Sequence, residues 1–268
     1  MITADLGKPL ALGRTAELYA WEGDQVVKLF FDWIDLESIQ FEQHMAQAVH
    51  TAGIPVPAVG RISQINGRNG LIYERVDGQS MWEVLNKQPW RVFALAHQAA
   101  HLQAEMHANT LKPDIPSQRR RLEDKLRCAE HLPDIAKQAL LAALPAMPDG
   151  ASICHGDFHP GNILFNSDRA VVIDWIDASL GNPLADVART SVILLGAAAT
   201  SQIPNQARKL FVRLFHALYL QGYFQFRPGG EAEYHQWLPV VAAARLSENM
   251  PELENWLVQQ AQKGFPMI

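Results

Sequence analysis

The stretch from Ser152 to Trp175, S-I-C-H-G-D-F-H-P-G-N-I-L-F-N-S-D-R-A-V-V-I-D-W, limits the possible folds of this chain most tightly. Two short apolar runs, Asn162 to Phe165 and Ala170 to Ile173, flank the turn-forming triplet Asn166-Ser167-Asp168, which predicts a hairpin of two brief strands. Polar groups stand at its entrance and exit: Asp157, Asn162 five residues later, and Asp174 twelve beyond that.

Those residue types suit a particular chemistry. Magnesium takes oxygen ligands and keeps several waters, so an ion held by a nucleotide needs only one or two protein oxygens. Asn162 and Asp174 can supply them. A carboxylate meant to accept a proton bond from an attacking hydroxyl must stand apart from the metal, and Asp157 is that candidate. Phosphoryl transfer asks mainly for positioning and charge neutralisation.

His155-Gly156-Asp157-Phe158-His159-Pro160-Gly161-Asn162, followed by Val172-Ile173-Asp174-Trp175, resembles the signature of the aminoglycoside phosphotransferase and choline kinase-like family. That signature is related to the protein-kinase arrangement of catalytic Asp, Asn and metal-binding Asp. Gly156 stands where protein kinases carry Arg, and Trp175-Ile176 replaces Phe-Gly; both favour the small-molecule branch. The resemblance implies a two-lobed, protein-kinase-like α+β fold. A small antiparallel sheet lobe over residues 1–78 would bind nucleotide, and a mainly helical lobe over residues 79–268 would carry catalysis and the acceptor site.

Composition is compatible with this. The 268 residues, 48% of them hydrophobic, are enough for a large core, and the net charge of −5 argues against a nucleic-acid partner. Arg119-Arg120-Arg121 is the longest basic run and reads as part of a solvated helix face. Cys128 and Cys154 show neither metal-ligand spacing nor a disulfide framework, and the N-terminus lacks the pattern of a signal peptide. No apolar run is long enough to cross a membrane. A cytoplasmic protein is expected.

Along the chain, strands are predicted at Leu10 to Leu12, Glu17 to Trp21 and Gln25 to Phe31. In Leu12-Gly13-Arg14-Thr15-Ala16-Glu17 the resemblance places the loop over the nucleotide phosphates, with Thr15 as a phosphate contact; an ordinary hairpin turn accounts for the same residues. Lys28 shares a strand face with Val26 and Phe30, so its charge asks for a partner. The resemblance makes it the phosphate-gripping lysine; a solvated edge lysine is the alternative.

A helix is predicted from Asp35 to Thr51, stopped by Gly53 and Pro55. The resemblance pairs Lys28 with a helix carboxylate, and Glu42, which falls among Ile39, Met45 and Val49 on the apolar stripe whereas Glu37 points away, is the one expected; a Glu making only a helix contact is the alternative. Leu71 to Val76 reads as a strand leading to Asp77-Gly78. The resemblance assigns the carbonyl of Glu74 and the N–H of Val76 to adenine, with Tyr73 behind them.

Helical spacing resumes with Val92 to His107, whose His97, His101 and His107 are read as surface or packing residues rather than a zinc site. Asn182 and Pro183 suit the start of another helix, and the resemblance has Asp186 and His155 hold the catalytic loop. Further helices are predicted over Asn205 to Tyr223, Glu231 to Ser247 and Pro251 to Lys263. Glu231, Glu233, Glu248, Glu252 and Glu254, with Tyr234, Trp237 and Trp256, can either wall a site for a cationic acceptor or serve surface and core.

The resulting expectation is an ATP-dependent, Mg2+-assisted kinase acting on a hydroxyl of a small molecule, with GTP left open as donor. Its acceptor and oligomeric state are not legible. A catalytically inactive nucleotide-binding or scaffold protein is the alternative from another class. A protein kinase lacks support, because no Asp-Phe-Gly to Ala-Pro-Glu segment is present.

Overall fold

The computed structural model describes residues 2–13, 15–109, 114–165, 170–200, 203 and 205–263. The triplet Asn166-Ser167-Asp168 predicted as a turn, and Arg14 of the proposed phosphate loop, lie outside the described residues. The chain divides into two compact units, Met1–Met81 with Gly161–Ile176, and Trp82–Pro160 with Asp177–Ile268.

In the first unit, β1 (Ala11–Leu12), β2 (Ala16–Trp21), β3 (Gln25–Phe30), β4 (Val59–Ile65) and β5 (Arg68–Glu74) form an antiparallel sheet ordered β1-β2-β3-β5-β4. The alternation along β3 explains how it is buried on both sides. Phe30 packs with Ala16, Ile39 and Leu71 on the side of helix α1 (Leu36–Thr51), while Val27 and Leu29 pack with Ile65 and Ile72 on the other. Ile2, Ala4 and Leu6 cover that second face, and Ile2 bridges to Ile65 in parallel. Sequence periodicity had no means of assigning that job to the N-terminal residues.

Helix α1 begins where Asp35 accepts the backbone N–H of Ser38 at 2.7 Å, an N-cap that satisfies one otherwise unpaired donor. Two short strands, β8 (Ile163–Phe165) and β9 (Ala170–Val172), pair antiparallel, and β6 (Gln79–Ser80) adds to β8. The backbone N–H of Val172 donates to the carbonyl of Pro55, tying this hairpin to the segment that follows α1.

The second unit is helical: α2 (Met81–Lys87) leads into it, followed by α3 (Val92–Ala108), α4 (Gln118–Arg127) and α5 (Asp134–Ala143). After the hairpin come α6 (Pro183–Ala199), α7 (Gln206–Phe226), α8 (Glu231–Arg245) and α9 (Pro251–Gln262). The side chains of Asn182 and Asn205 cap α6 and α7. Strands β7 (Ser152–Cys154) and β10 (Ser179–Gly181) form an antiparallel pair that brackets the 155–178 segment.

One reading of the sequence is corrected here, and one left open is decided. Helix α4 is not a solvated face: Arg119 donates to the carbonyls of Leu144 and Met147, and Arg121 and Lys125 both pair with Asp177. The aromatic residues Tyr234 and Trp237 are core, 3% and 1% exposed, and so are closed to any ligand.

Candidate active site

In the first unit, strand β3 presents Lys28 to α1, and Lys28 Nζ lies 2.7 Å from Glu42 Oε1. The pair expected from the helical stripe is therefore formed. The Tyr73 hydroxyl donates to the same Glu42 oxygen at 2.8 Å, a contact the sequence reading missed by placing Tyr73 only behind the adenine position. β-Sheet alternation was the available signal, because Tyr73 sits on the same face of the sheet as Leu71, and Leu71 is paired with Lys28. Asp174 Oδ1 is 3.6 Å from Lys28 Nζ, which puts two carboxylates around one ammonium. Burial acts against the charged lysine, but Asp174 and then Glu42 outweigh it and raise its pKa.

The β8–β9 register brings the two proposed metal ligands to one end of the hairpin. Ile163 faces Val172 and the N–H of Ile173 donates to the carbonyl of Asn162, so Asn162 and Asp174 flank the same open end. Asn162 is buried, whereas the Asp174 side chain is 42% exposed. Asp174 adopts φ of +66°, a left-handed conformation that costs a non-glycine residue on the order of 1 kcal/mol and re-aims its side chain. Trp175, buried beside it, donates from Nε1 to the carbonyl of Val172 and anchors the exit of the strand.

Of the remaining nucleotide candidates, Thr15 precedes β2 at a turn closed by the N–H of Gly13 and the carbonyl of Ala16. Glu74 ends β5; its N–H donates to the carbonyl of Ala58, and its carboxylate accepts the N–H of Ala58 at 3.0 Å. Val76 follows two residues later, beyond the strand.

Asp157 belongs to the second unit. Its loop is held by Asp186 at the start of α6, whose Oδ1 accepts the N–H of Gly156 at 2.7 Å and whose Oδ2 accepts that of His155 at 3.1 Å. His155 Nδ1 in turn accepts the N–H of Asp157 at 3.1 Å. Gly156 has φ of +79°, and a Cβ there would come within 2.4 Å of the Asp177 carbonyl, so an arginine has no place at this position. Arg189 instead reaches the loop from α6, donating from Nε to the Gly156 carbonyl at 2.9 Å and pairing with Glu248. Burial disfavours the charge on Asp157, but His159, 3.6 Å away, followed by Arg189 and His155, holds its carboxyl well below the usual range.

Behind the loop, His107 contacts Asp186 through Nε2 at 3.1 Å and the Tyr223 hydroxyl through Nδ1 at 2.7 Å. An ionised carboxylate only accepts, so Nε2 carries the proton and Nδ1 accepts from Tyr223. Cys154 joins His107 and Asp186 in a buried trio with the spacing of metal ligands. Burial raises the Cys154 thiol well above its usual pKa, and its Sγ bonds the carbonyl of Asn182, while Asp186 is saturated by the loop, His107 and Gln103. The trio is a structural network. His97 and His101 pack edge-on against Phe226, each 4.8 Å between ring centroids.

A small antiparallel sheet unit and a larger helical unit carrying these loops make a protein-kinase-like fold. The chain belongs to the phosphotransferase enzyme family (APH), whose model matches residues 7–237. A choline/ethanolamine kinase family protein from Mesorhizobium loti is similar in structure, with a TM-score of 0.62 at 16% identity over 97% of this chain and 88% of that one. An amicoumacin kinase solved in complex with AMP-PNP, Ca2+ and Ami aligns with a TM-score of 0.60 at 16% identity, over 96% of this chain and 86% of that one. In sequence, the mouse protein acyl-CoA dehydrogenase family member 10 is 28% identical over 176 residues, 56% of this chain. The match spans only 16% of that curated relative's length.

Proposed function

We infer that this protein transfers the γ-phosphoryl group of ATP to a hydroxyl of a small molecule with the help of Mg2+. The observation that carries the reading is the Lys28–Glu42–Asp174 cluster, supported by family membership and by a similar fold solved with an ATP analogue. Residues 1–78 are assigned to nucleotide binding and residues 79–268 to catalysis and the acceptor. The two cysteines, both free thiols, accord with a cytoplasmic setting.

Lys28, held by Glu42, grips phosphate oxygens, and a point charge on a stiff strand does so without reorganising. Thr15 and the neighbouring backbone add donors to the phosphates, and the carbonyl of Glu74 and N–H of Val76 meet the adenine. Asn162 and Asp174 are hard oxygen donors at one hairpin end, one buried and one exposed, which fits an octahedral ion that retains waters. Asn162 and Asp174 would hold Mg2+, whose chemistry there would be to offset the negative charge of the phosphates.

Asp157 accepts the hydrogen bond of the acceptor hydroxyl and orients a lone pair at the γ-phosphorus. A new O–P bond forms as the bond to the ADP oxygen breaks, and the proton leaves toward Asp157. Because its carboxyl is held below the normal range, Asp157 is a weak base, and its contribution is orientation more than deprotonation. Calorimetric titration with AMP-PNP, with and without Mg2+, tests the reading: Mg2+-dependent binding that Lys28→Met weakens supports it, and absence of binding by the wild type refutes it.

A further inference from the structure

We propose that Arg189 and Glu248 are positioning residues for the transfer step: Glu248 fixes the Arg189 guanidinium, and Arg189 fixes the peptide group that aims Asp157. This rests on the phosphotransferase reading above and adds two residues to its catalytic half. The carbonyl of Gly156 and the N–H of Asp157 are the two polar ends of one planar peptide group. Arg189 Nε donates to that carbonyl at 2.9 Å, and His155 Nδ1 accepts that N–H at 3.1 Å. Holding both ends stops the plane from rotating beside Gly156, which has φ of +79° and no side chain to restrain it.

The two restraints differ in origin. His155 is two residues from Asp157 and moves with the loop, whereas Arg189 stands on α6, 33 residues beyond Gly156. Asp186 of the same helix holds the N–H groups of His155 and Gly156, which leaves the peptide after Gly156 to Arg189. The direction of the Asp157 carboxylate is thereby referred to a packed helix.

Arg189 is itself set by Glu248. A guanidinium is a rigid plane, so binding its Nη2 fixes the direction of its Nε–H, and Glu248 Oε1 accepts from Nη2. Glu248 closes the single turn Leu246–Glu248 after α8, which is fastened by the burial of Leu246 and by the Ser247 hydroxyl donating to the carbonyl of Ala244 at 2.8 Å. Its other cations stand farther off, Lys125 at 3.6 Å and Arg245 at 3.9 Å, beyond the length of a charge-assisted hydrogen bond. Burial works against the charge on Arg189, and Glu248, ahead of Asp157 and Asp177, restores it. Glu248 thus serves the loop, which decides between the roles its sequence position left open.

The test compares the wild type with Glu248→Gln, Arg189→Gln and the double variant, all loaded with Mg·AMP-PNP. Amide hydrogen exchange over residues 154–159, a readout that needs no acceptor, should quicken about tenfold in each single variant while exchange within α6 and α8 stays unchanged. The double variant should exchange no faster than Arg189→Gln, because Glu248 acts through Arg189. ADP release from Mg·ATP, with water as the acceptor probe, should slow about 10- to 10²-fold in Arg189→Gln with the KM for ATP within about twofold. Adding Arg189→Gln to Asp157→Ala should cost nothing further. Unchanged exchange in the loop, faster exchange spread equally over α6 and α8, or a further rate loss in the Asp157→Ala background overturns the proposal and leaves the phosphotransferase reading standing. Should Arg189→Gln not fold, Glu248→Gln decides on the same readouts. Failure of the wild type to bind AMP-PNP instead overturns both.

Discussion

The two units solve opposite electrostatic problems. Around Lys28, one ammonium faces two carboxylates, and the more exposed of these, Asp174, sits in a strained backbone conformation at the end of a hairpin. Around Asp157 the balance is reversed: Arg189 and His159 bear on one carboxylate, while Arg121 and Lys125 share Asp177. An excess of carboxylate suits the capture of a cation or a metal-bound phosphate. An excess of positive charge suits keeping a carboxylate ionised for a hydroxyl. The contrast shows that pairing within each unit sets its local charge balance.

The largest expected effect breaks the second half alone. Asp157→Ala should cut kcat by about 10²- to 10⁴-fold while nucleotide affinity measured calorimetrically stays within about twofold. Equal loss of both would show that the division of labour is wrong. Asp186→Asn strikes the same loop through its support: a buried, fully satisfied carboxylate is replaced by an amide that must present donors to donors. Stability should fall by about 3–5 kcal/mol, seen as a lowered midpoint in urea.

Titration gives an intermediate effect. His216 is buried against Ser191 and its pKa is pushed down to about 4, so it binds a proton more readily unfolded than folded. Stability is then complete above the unfolded pKa and is lost as pH falls from about 6.5 toward 4, by about 3 kcal/mol. His216→Gln should flatten that slope in urea melts at a series of pH values. Asp157, ionised throughout the same window, should add no acid limb to kcat/KM there.

The smallest change sharpens the first half. Tyr73→Phe removes one neutral donor from Glu42 and should cost about 1 kcal/mol or less, read as a few-fold rise in KM for ATP with kcat unchanged. A change in kcat alone would mean that Tyr73 does not act through the lysine.

Much of this was readable beforehand, and for local reasons. The resemblance called for a helix carboxylate beside Lys28, and helical periodicity singled out Glu42, whose charge lies on an apolar face as that of Lys28 does on its strand. The helices α1, α3 and α6 announced themselves by caps and spacing. Strand β4 and the covering role of Ile2, Ala4 and Leu6 were not seen, because what they bury becomes apolar surface only after the sheet has formed. Arg121 misled for the same reason: a charged helix looks solvated until Asp177, more than fifty residues away, arrives beside it.

What the sequence alone determined is the set of chemical groups and their local frames: which carboxylates and amides flank the hairpin, and which charges lie on apolar stripes. Only the tertiary structure decided that Gly161–Ile176 packs with the sheet unit, that Tyr73 joins Glu42, and that α4 faces inward. Such pairings join residues distant along the chain, and their energy depends on the burial and geometry reached when the core closes, which no local pattern of residues encodes.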